Sequence, residues 1–250
     1  MADTERRPHA ALDIESRRPK ATKICSLLGM QHNNRHPLRV LEVGCGSGVI
    51  SQLIADWLGA QSEVHAVDVL DQRMVNGKFH FQKVEGTTLP YDDDAFDYVI
   101  SNHVIEHVGD HSAQSEHIKE LRRVLSPSGT GYLAVPSRWQ VIEPHYQLAF
   151  LSWLPCNLRT PYLRLSGRGN NYDCQPLSMH QVEALLTRHG LEFTNQFDAA
   201  VHSLVHSESK KSLLPRLASL LPQTVLHTLR PLSPTHIYLF EKAPQWRQND

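Results

Sequence analysis

From residue 38 onward the chain alternates short runs rich in β-branched residues with helix-period segments, the pattern of an α/β domain built on a mostly parallel sheet. Residues 38–43, Leu-Arg-Val-Leu-Glu-Val, read as the first strand. A helix is expected over 47–58, because Val49, Ile50, Leu53, Ile54, Trp57 and Leu58 recur at three- and four-residue steps and Gly59 supplies a stop. Further strands are expected over 63–69, 78–84 and 96–101. A helix over 113–125 puts Ile118, Leu121 and Leu125 on one stripe, and Pro127-Ser128-Gly129 then turns the chain into a strand over 130–135.

The rest is less regular. Residues 136–176 scatter Trp139, Tyr146, Phe150, Trp153, Tyr162 and Tyr172 among prolines and arginines with no sustained period. Ser178-Met179-His180-Gln181 fits a capping box, followed by a helix with Val182, Leu185 and Leu186 on its buried side and Gly190 at its end. Two last strands are expected over 191–197 and 236–241, separated by an insertion too long for a hairpin turn. The expected organisation is an N-terminal arm (1–37) with one short helix near 21–28, a domain over 38–242 and a tail over 243–250. Within the domain, 137–176 is an insertion and 199–235 an amphipathic helical one.

With 250 residues the chain can build one substantial core, and 40% apolar with 20% charged residues is a globular composition rather than a disordered one. No apolar run reaches the roughly 18 residues of a membrane span, and the polar, Pro/Arg-containing N-terminus carries no apolar signal-peptide core. Cys25, Cys45, Cys156 and Cys174 show no CxxC spacing, so no zinc ribbon or disulfide framework is expected and a reducing cytoplasm is the expected setting. The net charge of −1 conceals a pattern: residues 1–40 carry +4, 41–100 carry −7 and 201–250 carry +3. A total near zero disfavours a dedicated nucleic-acid binder.

The segment that carries the chemistry is Glu42-Val43-Gly44-Cys45-Gly46-Ser47-Gly48, between a strand and a helix. Glycines there let backbone turn sharply and approach a ligand. Asp68, at the end of the next strand, is placed to accept both hydroxyls of a ribose, which indicates a nucleoside ligand. A dinucleotide fingerprint GxGxxG wants glycine at 49, where the chain has Val49. A pyrophosphate would also meet Glu42 inside the −7 block, whereas a sulfonium and an ammonium would be welcomed there.

Taken together, LEVGCGSG at 41–48, AVDV at 66–69, EGTTLPYDDDAFD at 85–97, SNHVIEHV at 101–108 and LRRVLSPSGTGYLAVP at 121–136 resemble the class I S-adenosylmethionine-dependent methyltransferases, in the subgroup of small-molecule, quinone and lipid enzymes. The resemblance implies a Rossmann-like, seven-stranded, mostly parallel sheet with helices on both faces and the last strand antiparallel. It implies S-adenosylmethionine as cofactor. Glu42, Gly44 and Gly46 would hold its methionine end, Asp68 its ribose, Glu85 and Gly86 its adenine. Asn102 and His103 would line the methionine portion. Glu85 stands where relatives usually carry Asp.

Methyl transfer from a sulfonium asks mainly for in-line alignment, and a base is needed only for a protonated acceptor. His103 and His107 are the candidates for that role. His103, His107 and His111 recur at four-residue steps beside Glu106, and Asp92, Asp93 and Asp94 form an acidic run, but no metal site is expected from their spacing. The acceptor is expected at 137–176, with Arg138, Trp139, His145 and Tyr146 as contacts, and to be a small, hydrophobic molecule: a quinone precursor, lipid or aromatic metabolite. Residues 209–230 pair Leu213, Leu217 and Leu221 with Lys210, Lys211, Arg216 and Arg230, so they read either as a packed lid or as peripheral contact with a membrane. The alternatives are a non-catalytic regulatory protein that keeps the cofactor pocket, or a methyltransferase acting on RNA or protein through the basic ends.

Overall fold

The computed structural model describes residues 14–33, 36–197, 228 and 230–244. Seven strands form one sheet: β1 (Arg39–Val43), β2 (Glu63–Asp68), β3 (His80–Lys83), β4 (Phe96–Asn102), β5 (Leu125–Pro136), β8 (Leu191–Asn195) and β9 (Thr235–Lys242). Their order is β3-β2-β1-β4-β5-β9-β8. Neighbours from β3 to β5 are parallel, and β9 runs antiparallel to both β5 and β8. The doubly wound sheet with an antiparallel final strand is therefore present.

Helices cover both faces. On one lie α1 (Ile14–Leu27) and α2 (Val49–Leu58), where Ile24, Leu28, Ile54 and Leu58 pack against Val40, Val64 and Ile100. On the other lie α3 (His111–Val124) and α5 (Met179–Arg188), where Ile118, Leu121, Val182 and Leu186 meet Leu41, Val43 and Leu133. Alternation along β1 sends Val40 to the first face and Leu41 to the second, as the period of two in a strand requires. Side-chain caps start α3 and α5: Asp110 accepts from the Ala113 amide at 3.0 Å, and Ser178 with Gln181 closes the expected capping box.

Three elements differ from the sequence expectation. The N-terminal helix begins at Ile14, seven residues before the expected start, and tolerates Pro19. Strand β5 begins at Leu125, paired with Phe96, while Thr130 pairs with Tyr98, so residues 126–129 loop out within the strand instead of preceding it. Residues 137–176 hold a short hairpin, β6 (Ile142–Glu143) with β7 (Leu148–Ala149), and α4 (Cys156–Leu165), around a small core of Tyr146, Leu148, Leu151, Leu163 and Cys174. The amphipathic stretch 199–235 lies outside the described residues except for 228 and 230–235.

Candidate functional site

A cleft of about 1420 Å³ opens at the carboxyl ends of β1, β2 and β4, the end of an α/β sheet where ligands gather. Its walls come from the glycine loop, the residues after β2, β3 and β4, helix α1, and the 137–176 insertion.

The glycine loop is bonded inward. The amides of Gly44 and Cys45 donate to the Val67 carbonyl at 2.8 and 3.1 Å, that of Gly46 to Asp68 Oδ2 at 2.7 Å, and that of Gly48 to the Cys45 carbonyl at 3.0 Å. Those four amides are spent within the protein, so they form no cradle for a pyrophosphate. Gly44 holds φ 74°, and a Cβ there would stand 2.4 Å from Val104 Cγ2. No larger residue fits that position without displacing Val104.

Glu42 is buried, with its carboxylate accepting from the Ser51 hydroxyl. Burial pushes its carboxyl up to about 7, with the Ser51 hydrogen bond and Arg17 pulling the other way. Asp68 accepts from the Gly46 amide through one oxygen and from the Leu70 amide, at 3.1 Å, through the other. Each oxygen retains a second lone pair. Helix α1 brings Arg17 and Lys20 into the same cleft, and burial beside Arg17 and Lys23 lowers the Lys20 ammonium below its ordinary value. One wall thus offers buried and half-buried acids with two cations facing them.

The opposite end is rich in imidazoles. His103 sits in the left-handed region at φ 59°, a conformation that non-glycine residues adopt at a cost and that gathers at functional sites. Its Nδ1 lies 3.6 Å from Glu106 Oε1, and His107 Nε2 lies 3.8 Å from the same oxygen. Glu106 is fully buried, and neither carboxylate oxygen has a hydrogen-bond partner within normal distance. Burial raises its carboxyl, and the neighbouring His103 and His107 more than offset that. His107 and His145 stack edge to face at 4.9 Å, and Cys174 Sγ lies 3.7 Å from His107 Nδ1. His145 Nδ1 contacts Glu143 Oε1 at 2.6 Å; burial alone would lower this imidazole, but Glu143 carries it above its ordinary value. The Tyr146 hydroxyl donates toward the Asn171 carbonyl and Asp173 Oδ1, each at 3.0 Å.

Of the residues singled out in the sequence, Glu42, Gly44, Gly46, Asp68, Gly86, Asn102, His103, His107, His145 and Tyr146 line this one cleft. Glu85 does not: its side chain is exposed, while Gly86 beside it faces the cleft at φ 66° with open space where a Cβ would go. Arg138 and Trp139 also stand off the lining, Trp139 packing edge to face on Trp153 at 5.8 Å with Arg138 over its ring. Reasoning from sequence missed Arg17, Lys20, His117 and Asp173 in the lining, and Cys174 behind it. The basic spacing of Arg17 and Lys20 was a usable signal; nothing in sequence spacing joins His107, His145 and Cys174, whose ligand atoms all lie within 4.8 Å of one another. His117, bonded to the Ser101 hydroxyl at 3.0 Å, is lowered to about 4 by burial and stays neutral near pH 7.

Residues 41–133 match the family model described as "Methyltransferase domain". A Mycolicibacterium smegmatis protein named "Probable S-adenosylmethionine-dependent methyltransferase" is 32% identical over 104 residues, covering 40% of this chain and 38% of that protein. The demethylmenaquinone methyltransferase of Bacillus subtilis is 30% identical over 107 residues, covering 39% of this chain and 45% of that protein. The matched segments thus span less than half the length of these curated relatives. Among solved structures, N-methyltransferase 2 of Haemonchus contortus, in complex with phosphomonomethylethanolamine and S-adenosylhomocysteine, shares the fold at a TM-score of 0.51 and 17% identity, over 90% of this chain and 52% of that one. The glycine-loop motif, the strand order and the family match agree over one stretch of chain: residues 41–133 resemble a methyltransferase domain.

Proposed function

We propose that the chain is an S-adenosylmethionine-dependent methyltransferase whose acceptor is a small, hydrophobic molecule. The observation that carries the proposal is the continuity of one cleft from Glu42 and Asp68 at the strand ends to His107, His145 and Tyr146 in the insertion. Such a cleft has room for a nucleoside cofactor at one end and an acceptor at the other. The cofactor, when bound, supplies an electrophilic methyl group. The residues fit it: Glu42 and the Asn102 carbonyl offer negative ends for an ammonium, Arg17 and Lys20 offer a carboxylate its partners, Asp68 keeps lone pairs for ribose hydroxyls, and the open space at Gly86 leaves room for a ring.

The protein's part is then to hold, orient and exclude water. His107 and His103 are the groups nearest to hand for a proton leaving the acceptor, with the buried Glu106 between them to stabilise an imidazolium. A phenol that arrives ionised needs neither. The insertion lines the far wall with Pro144, His145, Tyr146, Asn170, Asn171 and Asp173; the expectation of a hydrophobic acceptor is supported by the Bacillus subtilis relative, a demethylmenaquinone methyltransferase by name, which puts a quinone-type ring first among compounds to try. No helix among the described residues is long and apolar enough to cross a membrane. Contact with a membrane surface through 209–230 falls on residues outside the described ones apart from 228 and 230.

The test is to incubate the protein with methyl-labelled cofactor and a metabolite-rich extract, then separate lipid, small-molecule, RNA and protein fractions. Label is expected in the lipid or small-molecule fraction. Label confined to RNA or protein overturns the acceptor class, and cofactor bound without any turnover favours a regulatory binding protein.

A further inference from the structure

We propose that His107, His145 and Cys174 form a binding site for a divalent transition-metal ion of the zinc type at the acceptor end of the cleft. Three separate pieces of chain supply the ligands: the turn after β4, the loop between β6 and β7, and the segment before α5. Their ligand atoms lie within 4.8 Å of one another. A tetrahedral ion with bonds of about 2.0 Å to nitrogen and about 2.3 Å to sulfur sets its nitrogen and sulfur ligands about 3.5 Å apart. The His107 Nδ1 to Cys174 Sγ distance is 3.7 Å. Closing the site around an ion therefore asks for shifts of a few tenths of an ångström there.

The surroundings match the second layer of a metal centre. Ligating imidazoles usually carry a carboxylate on their other nitrogen. Glu106 stands 3.8 Å from His107 Nε2 while His107 Nδ1 lies 3.7 Å from Cys174 Sγ, and Glu143 holds His145 Nδ1 at 2.6 Å, the nitrogen that lies 3.8 Å from the same sulfur. Glu106 is the buried carboxylate without a hydrogen-bond partner, a cost that a nearby dication would offset. Asp173 adds a third carboxylate 3.6 Å from the thiol sulfur.

Three protein ligands leave a fourth position, the arrangement of catalytic rather than structural zinc. His107 and His145 line the cleft while Cys174 is buried behind them, so that position faces the cleft. An acceptor oxygen bound there would be acidified by the ion, and His107 would serve as ligand instead of base. Only this last step rests on the methyltransferase reading; metal binding does not.

The experiment titrates the chelator-stripped protein with Co²⁺ and follows its absorption. One Co²⁺ per chain is expected, with tetrahedral visible bands, a near-ultraviolet thiolate-to-cobalt band, and displacement of both by Zn²⁺. Cys174→Ser should abolish the thiolate band, and Glu143→Gln should weaken binding about 10–100-fold. Absence of a thiolate band in the parent protein, or its persistence in Cys174→Ser, overturns the proposal. Should Cys174→Ser fail to fold by circular dichroism, His145→Gln takes its place, and unchanged cobalt bands there overturn the site. Calorimetry with S-adenosylhomocysteine separates the two readings: cobalt bound without the nucleoside sinks the methyltransferase, and the nucleoside bound without cobalt sinks the metal site.

Discussion

Asp68 illustrates how much one carboxylate is asked to do. It ties down the Gly46 amide and the Leu70 amide while keeping lone pairs toward the cleft. A hydrogen bond to a charged group is worth about 1.5–3 kcal/mol, so Asp68→Ala should weaken cofactor binding at least about 10–100-fold by calorimetry while the chain stays folded. Glu42 carries a pH signature. Between the ordinary carboxylate range and about pH 7 the folded chain retains a proton on Glu42 that the unfolded chain has released. Stability therefore falls as pH rises through that window and levels off above it. Glu42→Gln has no proton to lose, so its melting temperature relative to the parent should rise between pH 5 and pH 8; a constant difference would contradict the assignment. Affinity for a cationic ligand should run the opposite way in the parent, rising with pH through about 7, and this slope should vanish in Glu42→Gln. Both acids were legible in sequence from their places beside a glycine loop and at a strand end. Glu85 has an exposed side chain off the cleft lining, which motif position does not tell, since it does not say which way a side chain turns.

Among the elements, legibility followed the strength of the local signal. Strand β1, helix α2 and the α5 cap announced themselves through unbroken apolar runs, three-and-four periodicity and a Ser-x-x-Gln pair. Helix α4 did not, because it carries Pro161 inside and buries only Arg159 and Leu163, too few for a visible stripe. Strands β6 and β7 are two residues each, below what any period can reveal. The Pro127-Ser128-Gly129 turn was real, but Leu125 had already paired with Phe96, so local chemistry found the bend and missed that the ladder spans it. The α5 capping box allows a quantitative check. Ser178→Ala removes the hydroxyl that accepts from the Gln181 amide, costing about 1 kcal/mol, which for a chain of this size should lower the melting temperature by about 2–4 °C.

At the level of the whole molecule, helix α1 and the residues just after it, in the segment expected to be an arm, are part of the core. Ala21, Ile24 and Cys25 of α1 are buried against α2, and Leu28 and Met30 extend that contact. Full burial of a large aliphatic side chain contributes about 1.5–3 kcal/mol, so losing Ile24, Leu28 and Met30 removes an amount comparable to a typical domain stability of about 5–15 kcal/mol. Deletion of residues 1–30 should therefore leave a chain without a cooperative thermal transition by circular dichroism. Lys20→Ala should keep the fold and weaken binding of ligands bearing a carboxylate more than of adenosine alone. The charge pattern also gains definition: the −7 block places Glu42 and Asp68 at the cleft, but α1 adds two cations, so the site is complementary to a zwitterion rather than simply acidic.

The place of β9 in the sheet has a consequence for how the chain is made. Among the described residues this strand is the last in sequence, yet it lies between β5 and β8, with both of which it pairs. Until residue 242 has emerged from the ribosome, both strands present bare peptide edges, and the β5 edge includes the buried run Tyr132–Val135. Unpaired edges of that kind invite pairing with other chains, and contacts so distant in sequence form slowly. A nascent chain stopped at residue 197 should accordingly be captured by holdase chaperones and be cut readily by protease, whereas release of the full chain should confer protection in one step. Synthesis, not only sequence, would decide when the sheet is complete, because the final strand has to slide between two that were waiting for it.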